Sequence, residues 1–396
     1  AERSVGSGIF NGGLADISRS TFFANSGSEG GRGFAIANDD NGELKLTKQW
    51  SLTAFGQRDM IAEAVDIHMS SLELMLDASV GGLVYAVVAL TLNAAWAQPA
   101  TEAGPPMRVE KVGPHSHYVQ GLTQLGSTRN QNFISNAGFV ITPAGVVVVD
   151  ALGSPRLAER LTQAIRQLTD KPITHVIVTH YHADHIYGLQ HFKQLGAQIV
   201  AHRASREYIQ SDTARLRLEA SRTDLAPWIN DQTRIVPADL WLDGATSLKV
   251  GGVVFELTPV GPSHTPEDLT VYVPSEKVLF AGDLFFNGRL PFVGQANSRQ
   301  WVLSLDRLLA FDARAVVPGH GAASTDPKKD IGTTRDYLKH LRQSMGEAVE
   351  NFVPFEEAYD KTDWSAFATM PMFGPANRMN AYNTYLLMEQ EGLTGR

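Results

Sequence analysis

His180-Tyr181-His182-Ala183-Asp184-His185 is the stretch that decides the reading of this chain. It follows the apolar run Val176-Ile177-Val178-Thr179, so a strand ends where ligand-type side chains begin. Loops at strand ends carry binding and catalytic groups in α/β proteins, because a rigid sheet positions them. His180 and His182 are two apart, which in an extended segment sends both rings to one side. Asp184 and His185 follow where the chain must turn, and can face a second position close by. Imidazoles converging with a carboxylate suit zinc or another borderline transition metal. The plain alternative is a polar loop that happens to hold histidine. Four ligand-type residues in six, directly after an apolar strand, argue against it.

The bulk properties narrow the classes. The chain has 396 residues, 43% hydrophobic and 19% charged, which is ordinary for a globular protein and long enough for a core domain plus further segments. A formal net charge of −8 disfavours a nonspecific binder of phosphate backbones, so a small-molecule substrate is expected and a nucleic-acid partner is not. There is no cysteine, which excludes disulfides, thiolate zinc sites and cysteine nucleophiles. Neither Gly81-Gly82 nor Gly251-Gly252 belongs to a dinucleotide fingerprint, and no P-loop is present.

Residues 1–78 contain Gly- and Ser-rich stretches without sustained periodicity and read as a weakly structured segment. Residues 79–97 are uncharged and mostly apolar, and Ala95-Trp96-Ala97 fits a small-x-small cleavage site. With Met69 or Met75 as the start, 79–97 is a secretory signal peptide and 1–78 is no part of the mature protein. Against this, no Lys or Arg lies between Arg58 and Arg108, so the positive region before a signal peptide is missing. A single membrane anchor and a buried core helix are the other readings. The first two predict a periplasmic or secreted protein, with membrane contact only if 79–97 is uncleaved.

From residue 108 the texture becomes compact and alternating. Asn132–Ile141 and Val146–Asp150 read as a strand pair around Pro143-Ala144-Gly145. Ser154-Pro155 opens a helix, with Ser154 as N-cap and Pro155 at the first helical position. Strands follow at 175–179 and 198–201, a helical stretch at 204–230, and strands at 247–260, 269–273 and 277–281. A helix near 299–310 leads to a strand at 314–317, and helices fill much of 328–350 and 377–390. This alternation predicts an α/β layered domain over 108–325 with a helical C-terminal extension over 326–396.

Three later residues repeat the chemistry of the first motif at strand ends. His264 lies in Gly261-Pro262-Ser263-His264-Thr265, Asp283 in Phe280-Ala281-Gly282-Asp283, and His320 in Val317-Pro318-Gly319-His320-Gly321. With His-x-His-x-Asp-His before them, they make residues 110–325 resemble the metallo-β-lactamase superfamily. The resemblance implies an αββα sandwich and two metal ions, taken as zinc, with iron or manganese as other candidates. It implies that His180, His182 and His264 hold one ion and Asp184, His185 and His320 the other, with Asp283 bridging. A bridging aspartate resembles the glyoxalase II-like hydrolases; the best-known β-lactamases place a cysteine there. The contexts of His264 and Phe285-Phe286-Asn287 resemble exported hydrolases linked to quinoprotein or sulfur-oxidation gene sets.

The chemistry expected of such a site is hydrolysis of an ester, thioester, lactone or lactam by a shared hydroxide, generated because divalent ions lower the pKa of water toward about 7. Asp184 would be the catalytic residue, orienting the hydroxide and shuttling its proton. Phosphodiester cleavage and sulfur oxygenation on a single iron are the competing reaction classes. Thr179 and Gly282 sit beside ligands in sequence and are expected to pack against them. The 204–230 stretch reads either as a solvated helical pair or as a lid. Phe285, Phe286, Arg289 and Phe292 read either as pocket lining or as plain packing.

Overall fold

The computed structural model describes residues 104–394 and, as backbone, two short strands nearer the N-terminus. These are β1 (Ala35–Asn38) and β2 (Leu44–Thr47), paired antiparallel in a unit of their own. The apolar stretch 79–97, read as a signal peptide or anchor, lies outside the described residues. Among the described residues no helix is long and apolar enough to cross a membrane.

Two sheets face each other in the main unit. The first has seven strands in sequence order: β3 (Val109–Lys111), β4 (Ser116–Val119), β5 (Ala137–Thr142), β6 (Gly145–Val149), β7 (Ile173–Ile177), β8 (Gln198–His202) and β9 (Leu240–Leu242). Pairing is antiparallel up to β6 and parallel from β6 to β9. The second has five: β10 (Thr246–Val250), β11 (Val253–Pro259), β12 (Leu269–Val273), β13 (Val278–Phe286) and β14 (Ala315–His320), of which only β13 and β14 run parallel.

The layering follows from which strands are apolar on both faces. In β6 every residue is buried. Val146 and Val148 join a core shared with helices α1 (Pro155–Arg166), α2 (Ala183–Ile186) and α3 (Leu189–Gln194), while Val147 and Val149 point between the sheets toward Phe255 and Val271. In β13, Leu279 and Ala281 face a second helical layer, and Val278 and Phe280 face the inter-sheet core. A strand with period-two side chains and both faces apolar must be covered twice. Each fully buried valine or leucine contributes roughly 1.5–3 kcal/mol. Helix, sheet, sheet, helix is the result, as the αββα expectation had it.

Helices α6 (Ser298–Leu308), α7 (Pro327–Glu350), α8 (Phe355–Lys361) and α9 (Phe373–Thr394) build the outer layer over the five-stranded sheet. The C-terminal helices are thus one layer of the sandwich, with Ile331, Tyr337 and Leu341 in the same core as Trp301 and Phe285. The 204–230 stretch forms α4 (Ser205–Ile209) and α5 (Asp212–Asp224), and Leu218, Leu225 and Ile229 anchor it on the core outside the seven-stranded sheet.

Element boundaries differ from the sequence reading at two instructive places. The strand expected from Asn132 begins only at Ala137, because Gln131 and Asn132 adopt left-handed φ of 56° and 63° in a loop tied by asparagine side chains. The single strand expected over 247–260 is a hairpin. Gly251 and Gly252 have φ of 55° and 87°, the geometry of a tight two-residue turn that side chains oppose.

Candidate metal centre

All seven residues singled out in the sequence meet at one end of the sandwich. They form two groups, His180, His182, His264 and Asp283, and Asp184, His185 and His320, and within each group one ligand atom per residue lies within 4.8 Å of the others. The first motif leaves the end of β7 and turns into α2; His264 sits on the β11–β12 connection, Asp283 within β13 and His320 at the end of β14. Carboxyl ends of parallel strands supply most of the donors, which is the usual place for a site in an open α/β sheet.

Asp283 stands between the groups. Its Oδ2 lies 3.3 Å from His264 Nε2, 3.3 Å from His320 Nε2 and 3.7 Å from His180 Nε2, and its Oδ1 lies 3.1 Å from His185 Nε2. A local irregularity aims it there. The β13–β14 register shifts on both sides of Gly282, whose φ is +54°, and a Cβ at Gly282 would stand 2.6 Å from Thr179 Oγ1. Bulges of this kind re-aim side chains beside functional sites. Thr179 and Gly282 therefore lie against each other, a contact that adjacency to the candidate ligands alone did not predict.

The donor set fits a cation. His185 Nδ1 is 2.9 Å from Asp150 Oδ2, so Nδ1 carries a proton and donates it to the carboxylate, turning Nε2 toward Asp283. His320 Nδ1 likewise donates to the Ile134 carbonyl at 2.7 Å, which leaves Nε2 facing Asp184 at 3.2 Å. Thr179 Oγ1 donates to Asp150 Oδ2 at 2.8 Å and accepts from His180 Nδ1 at 3.1 Å. Fixing one imidazole nitrogen in this way presents the other as a metal donor. His180 Nε2, His185 Nε2, His264 Nδ1 and Asp283 Oδ1 are buried without a hydrogen-bond partner. Each such group costs about 1–3 kcal/mol if nothing satisfies it.

Electrostatics agree. Burial disfavours charge on His185 and His320, yet the carboxylates around them, Asp283 foremost, hold both pKa values above the ordinary histidine range. Burial would raise the carboxyls of Asp283 and Asp184, but the facing histidines outweigh it and hold both below their usual values. Burial and the neighbouring His185 push His180 well down, and burial with His264 brings His182 to about 3. Ionised carboxylates and the neutral imidazoles of His180 and His182 are protonation states that bind metal, whereas a cation at His185 and His320 would have to displace a proton from each.

Several supporting residues escaped the sequence reading. Asp150, one residue past β6, accepts directly from His185 Nδ1 and is linked to His180 through the Thr179 hydroxyl. Trp301 on α6 packs against His264 with ring centroids 4.9 Å apart, its indole N–H fixed on the Leu284 carbonyl. Asn136 donates to the carbonyls of Pro318 and Gly321, both at 2.8 Å, and accepts from the Gly121 N–H, clamping the His320 loop onto the first sheet. Asn136→Ala leaves those buried groups without partners and is expected to cost about 2–3 kcal/mol. Chemical denaturation will read that loss, and metal content should fall first at the Asp184, His185 and His320 group.

The remaining candidates divide. Phe286 stacks flat on His320 at 5.0 Å, Phe292 lies against the Arg289 guanidinium, and Phe285 is buried in the helical core. His175, His191 and His202 stay outside both groups; the first two bond to Thr174 and Thr162. His117 stacks on Phe139 and belongs to neither group.

Comparison with known proteins adds independent support. The family model described as "Metallo-beta-lactamase superfamily" matches residues 131–320. The linear primary-alkylsulfatase of Pseudomonas sp. (strain ATCC 19151) is 24% identical over 246 residues, which is 50% of this chain and 44% of that protein. This chain therefore spans less than half of that relative's length. The metallo-beta-lactamase type 2 of Elizabethkingia meningoseptica is 25% identical over 249 residues, covering 61% of this chain and 88% of that one. The solved structure of the sec-alkylsulfatase Pisa1 from Pseudomonas sp. shares the fold with a TM-score of 0.54 at 17% identity, over 71% of this chain and 50% of that one. The sandwich, the candidate ligand groups at its strand ends and the family match agree: residues 131–320 match the metallo-beta-lactamase superfamily in sequence and in fold.

Proposed function

We propose that the protein is a dinuclear, zinc-dependent hydrolase acting on a small ester, thioester, lactone, lactam or sulfate ester. The observation that carries this reading is the placement of Asp283, whose two oxygens reach histidines of both groups. A carboxylate so placed suits two ions better than one, and seven N and O donors without cysteine suit zinc. When bound, two such ions lower the pKa of a water and polarise the oxygen of the scissile group.

The chain's own residues supply the rest. His180, His182 and His264 would hold one ion, Asp184, His185 and His320 the other. Asp184 occupies the open side of the cluster, its side chain 17% exposed against 5% for Asp283, so it can reach substrate and water. There it would orient the attacking water and carry its proton to the leaving group, a role worth typically 10²–10⁴-fold. Phe286 and Trp301 shield the far side of His264 and His320 from solvent. The likeness to a lactamase and to an alkylsulfatase supports both acyl and sulfate esters as substrate classes. The apolar stretch 79–97 supports an exported protein.

Metal analysis of the purified chain tests the reading, run beside a panel of chromogenic thioesters, lactones, cephalosporins, alkyl sulfates and phosphodiesters. Two ions per chain with turnover of an acyl or sulfate ester is the expected result. One ion or fewer would overturn the dinuclear site, and turnover confined to phosphodiesters would overturn the substrate class.

A further inference from the structure

Helix α9 is apolar on the side where a surface helix is ordinarily polar. Inward it buries Asn377, Asn380 and Thr384. Outward it exposes Met379, Tyr382, Leu386 and Leu393, with Glu389 in the same row. From 379 to 393 these positions are three, four, three and four residues apart, so they lie along one side of the helix. That spacing is the one that forms a seam between two helices.

The turn between α7 and α8 stands beside this row. α7 closes with the Phe352 N–H donating to the Val349 carbonyl at 3.1 Å and the Val353 N–H to the Ala348 carbonyl at 2.8 Å. Such a closure puts the residue after the C-cap in left-handed backbone, where glycine is the usual occupant. Here it is Phe352, with φ of 56° and the residue 92% exposed. A bulky side chain in that conformation is disfavoured, and turned to water it gains nothing within the subunit. The Tyr385 hydroxyl donates to the Val353 carbonyl at 3.0 Å, and Phe355 meets Tyr382 with ring centroids 5.0 Å apart. Phe352 is thereby held next to the middle of the exposed row.

We propose that a second copy of the chain covers this surface, with the two α9 helices antiparallel about a two-fold axis between Tyr382 and Leu386. The charges select both the partner and the direction. Arg378 pairs with Glu356 but keeps its side chain about half exposed, and Glu389 is exposed further along the same helix. In the antiparallel arrangement Tyr382 of each copy packs on Leu386 of the other, and Arg378 of each copy comes beside Glu389 of the other. A two-fold contact makes every such pair twice. Parallel helices would instead set Glu389 against its own counterpart, like charge on like in the seam. Exposed Glu350 and Glu389 oppose docking on an anionic lipid surface. A seam of one helix and one turn is small, so a weak dimer is expected, with a Kd of about 10 µM.

Sedimentation velocity of the full chain tests this, with monomer expected to pass to dimer between about 1 and 100 µM. Leu386→Asp should remain monomeric throughout that range. Arg378→Glu and Glu389→Arg should each weaken the dimer about tenfold, and the double variant should recover most of the loss, which damage to the fold would not produce. Phe352→Gly should also weaken the dimer, yet raise the melting temperature of the monomer measured in dilute solution, because glycine relieves the left-handed backbone. A chain that stays monomeric at every concentration overturns the proposal. So does association that neither Leu386→Asp nor the charge exchange alters, which would place the contact elsewhere on the chain. Monomers that sediment with uncharged phosphatidylcholine vesicles, and lose that binding in Phe352→Gly, would assign the surface to a membrane and overturn it as well.

Discussion

If the centre holds two ions as proposed, Asp283→Ala is expected to empty both groups at once and to lower turnover by on the order of 10³-fold, since several kcal/mol of metal-assisted stabilisation go with it. Among the described ion pairs, only those of Asp283 join histidines of both groups. Without its carboxylate, His180, His182 and His264 converge with no anion among them, and Asp184 is the one carboxylate left on the Nε2 side of His185 and His320. The same carboxylate is the leading influence that holds the His185 and His320 pKa values up against burial. Its removal therefore changes proton affinity and metal affinity together. Asp283→Asn separates charge from shape, because the amide fills the same volume on β13 but carries no negative charge to shield two cations. Both variants are expected to fold, since β13 is buried along its whole length by apolar neighbours. Metal content by mass spectrometry and turnover of the best panel substrate are the measurements. Retention of two ions with turnover within tenfold of the parent would mean that Asp283 is no bridge.

The cluster of candidate residues was legible in the sequence because each lies in or after an apolar strand, and strands announce themselves by local pattern. What supports the ligands was not, because its logic is set across the sheet. Asp150 ends the run Val146–Val149 like any polar residue closing a strand. Only the parallel pairing of β6 with β7, with Val149 opposite Ile177, brings it beside Thr179 and His185. Trp301 is remote in sequence from His264, and nothing in the α6 pattern marks it as a wall of the site rather than core. The C-terminal helices were visible as helices, but their place as a full layer was hidden. In α9 the buried face includes Asn377, Asn380 and Thr384. Asn380 accepts from the Val293 N–H and donates to the Pro291 carbonyl, and Asn377 accepts from the Tyr337 hydroxyl. A helix that buries amides as tertiary clamps does not show an apolar stripe, so periodicity understates how firmly it is packed.

Asp150→Ala should be the most damaging change at a residue that touches no metal position. Its Oδ1 accepts from the Thr179 N–H at 2.8 Å, and its Oδ2 accepts from the Thr179 hydroxyl at 2.8 Å and from His185 Nδ1 at 2.9 Å. Alanine leaves three buried donors without an acceptor, at about 1–3 kcal/mol each. His185 then has no reason to keep its proton on Nδ1, and the hydroxyl of Thr179 is free to turn from acceptor to donor toward His180. Two ligands in different groups lose their fixed tautomers through one substitution. Loss of an orienting partner of this kind typically lowers metal affinity or activity 10–100-fold. Asp150→Asn distinguishes orientation from stability. It preserves volume and one acceptor oxygen, but its amide must present N–H either to His185 Nδ1 or to the Thr179 N–H, which sets donor against donor. Thermal denaturation should therefore show the asparagine variant closer to the parent than alanine, while zinc affinity falls in both. A variant that loses stability but binds zinc as tightly as the parent would show that Asp150 holds the strand ends together and does not orient the ligands.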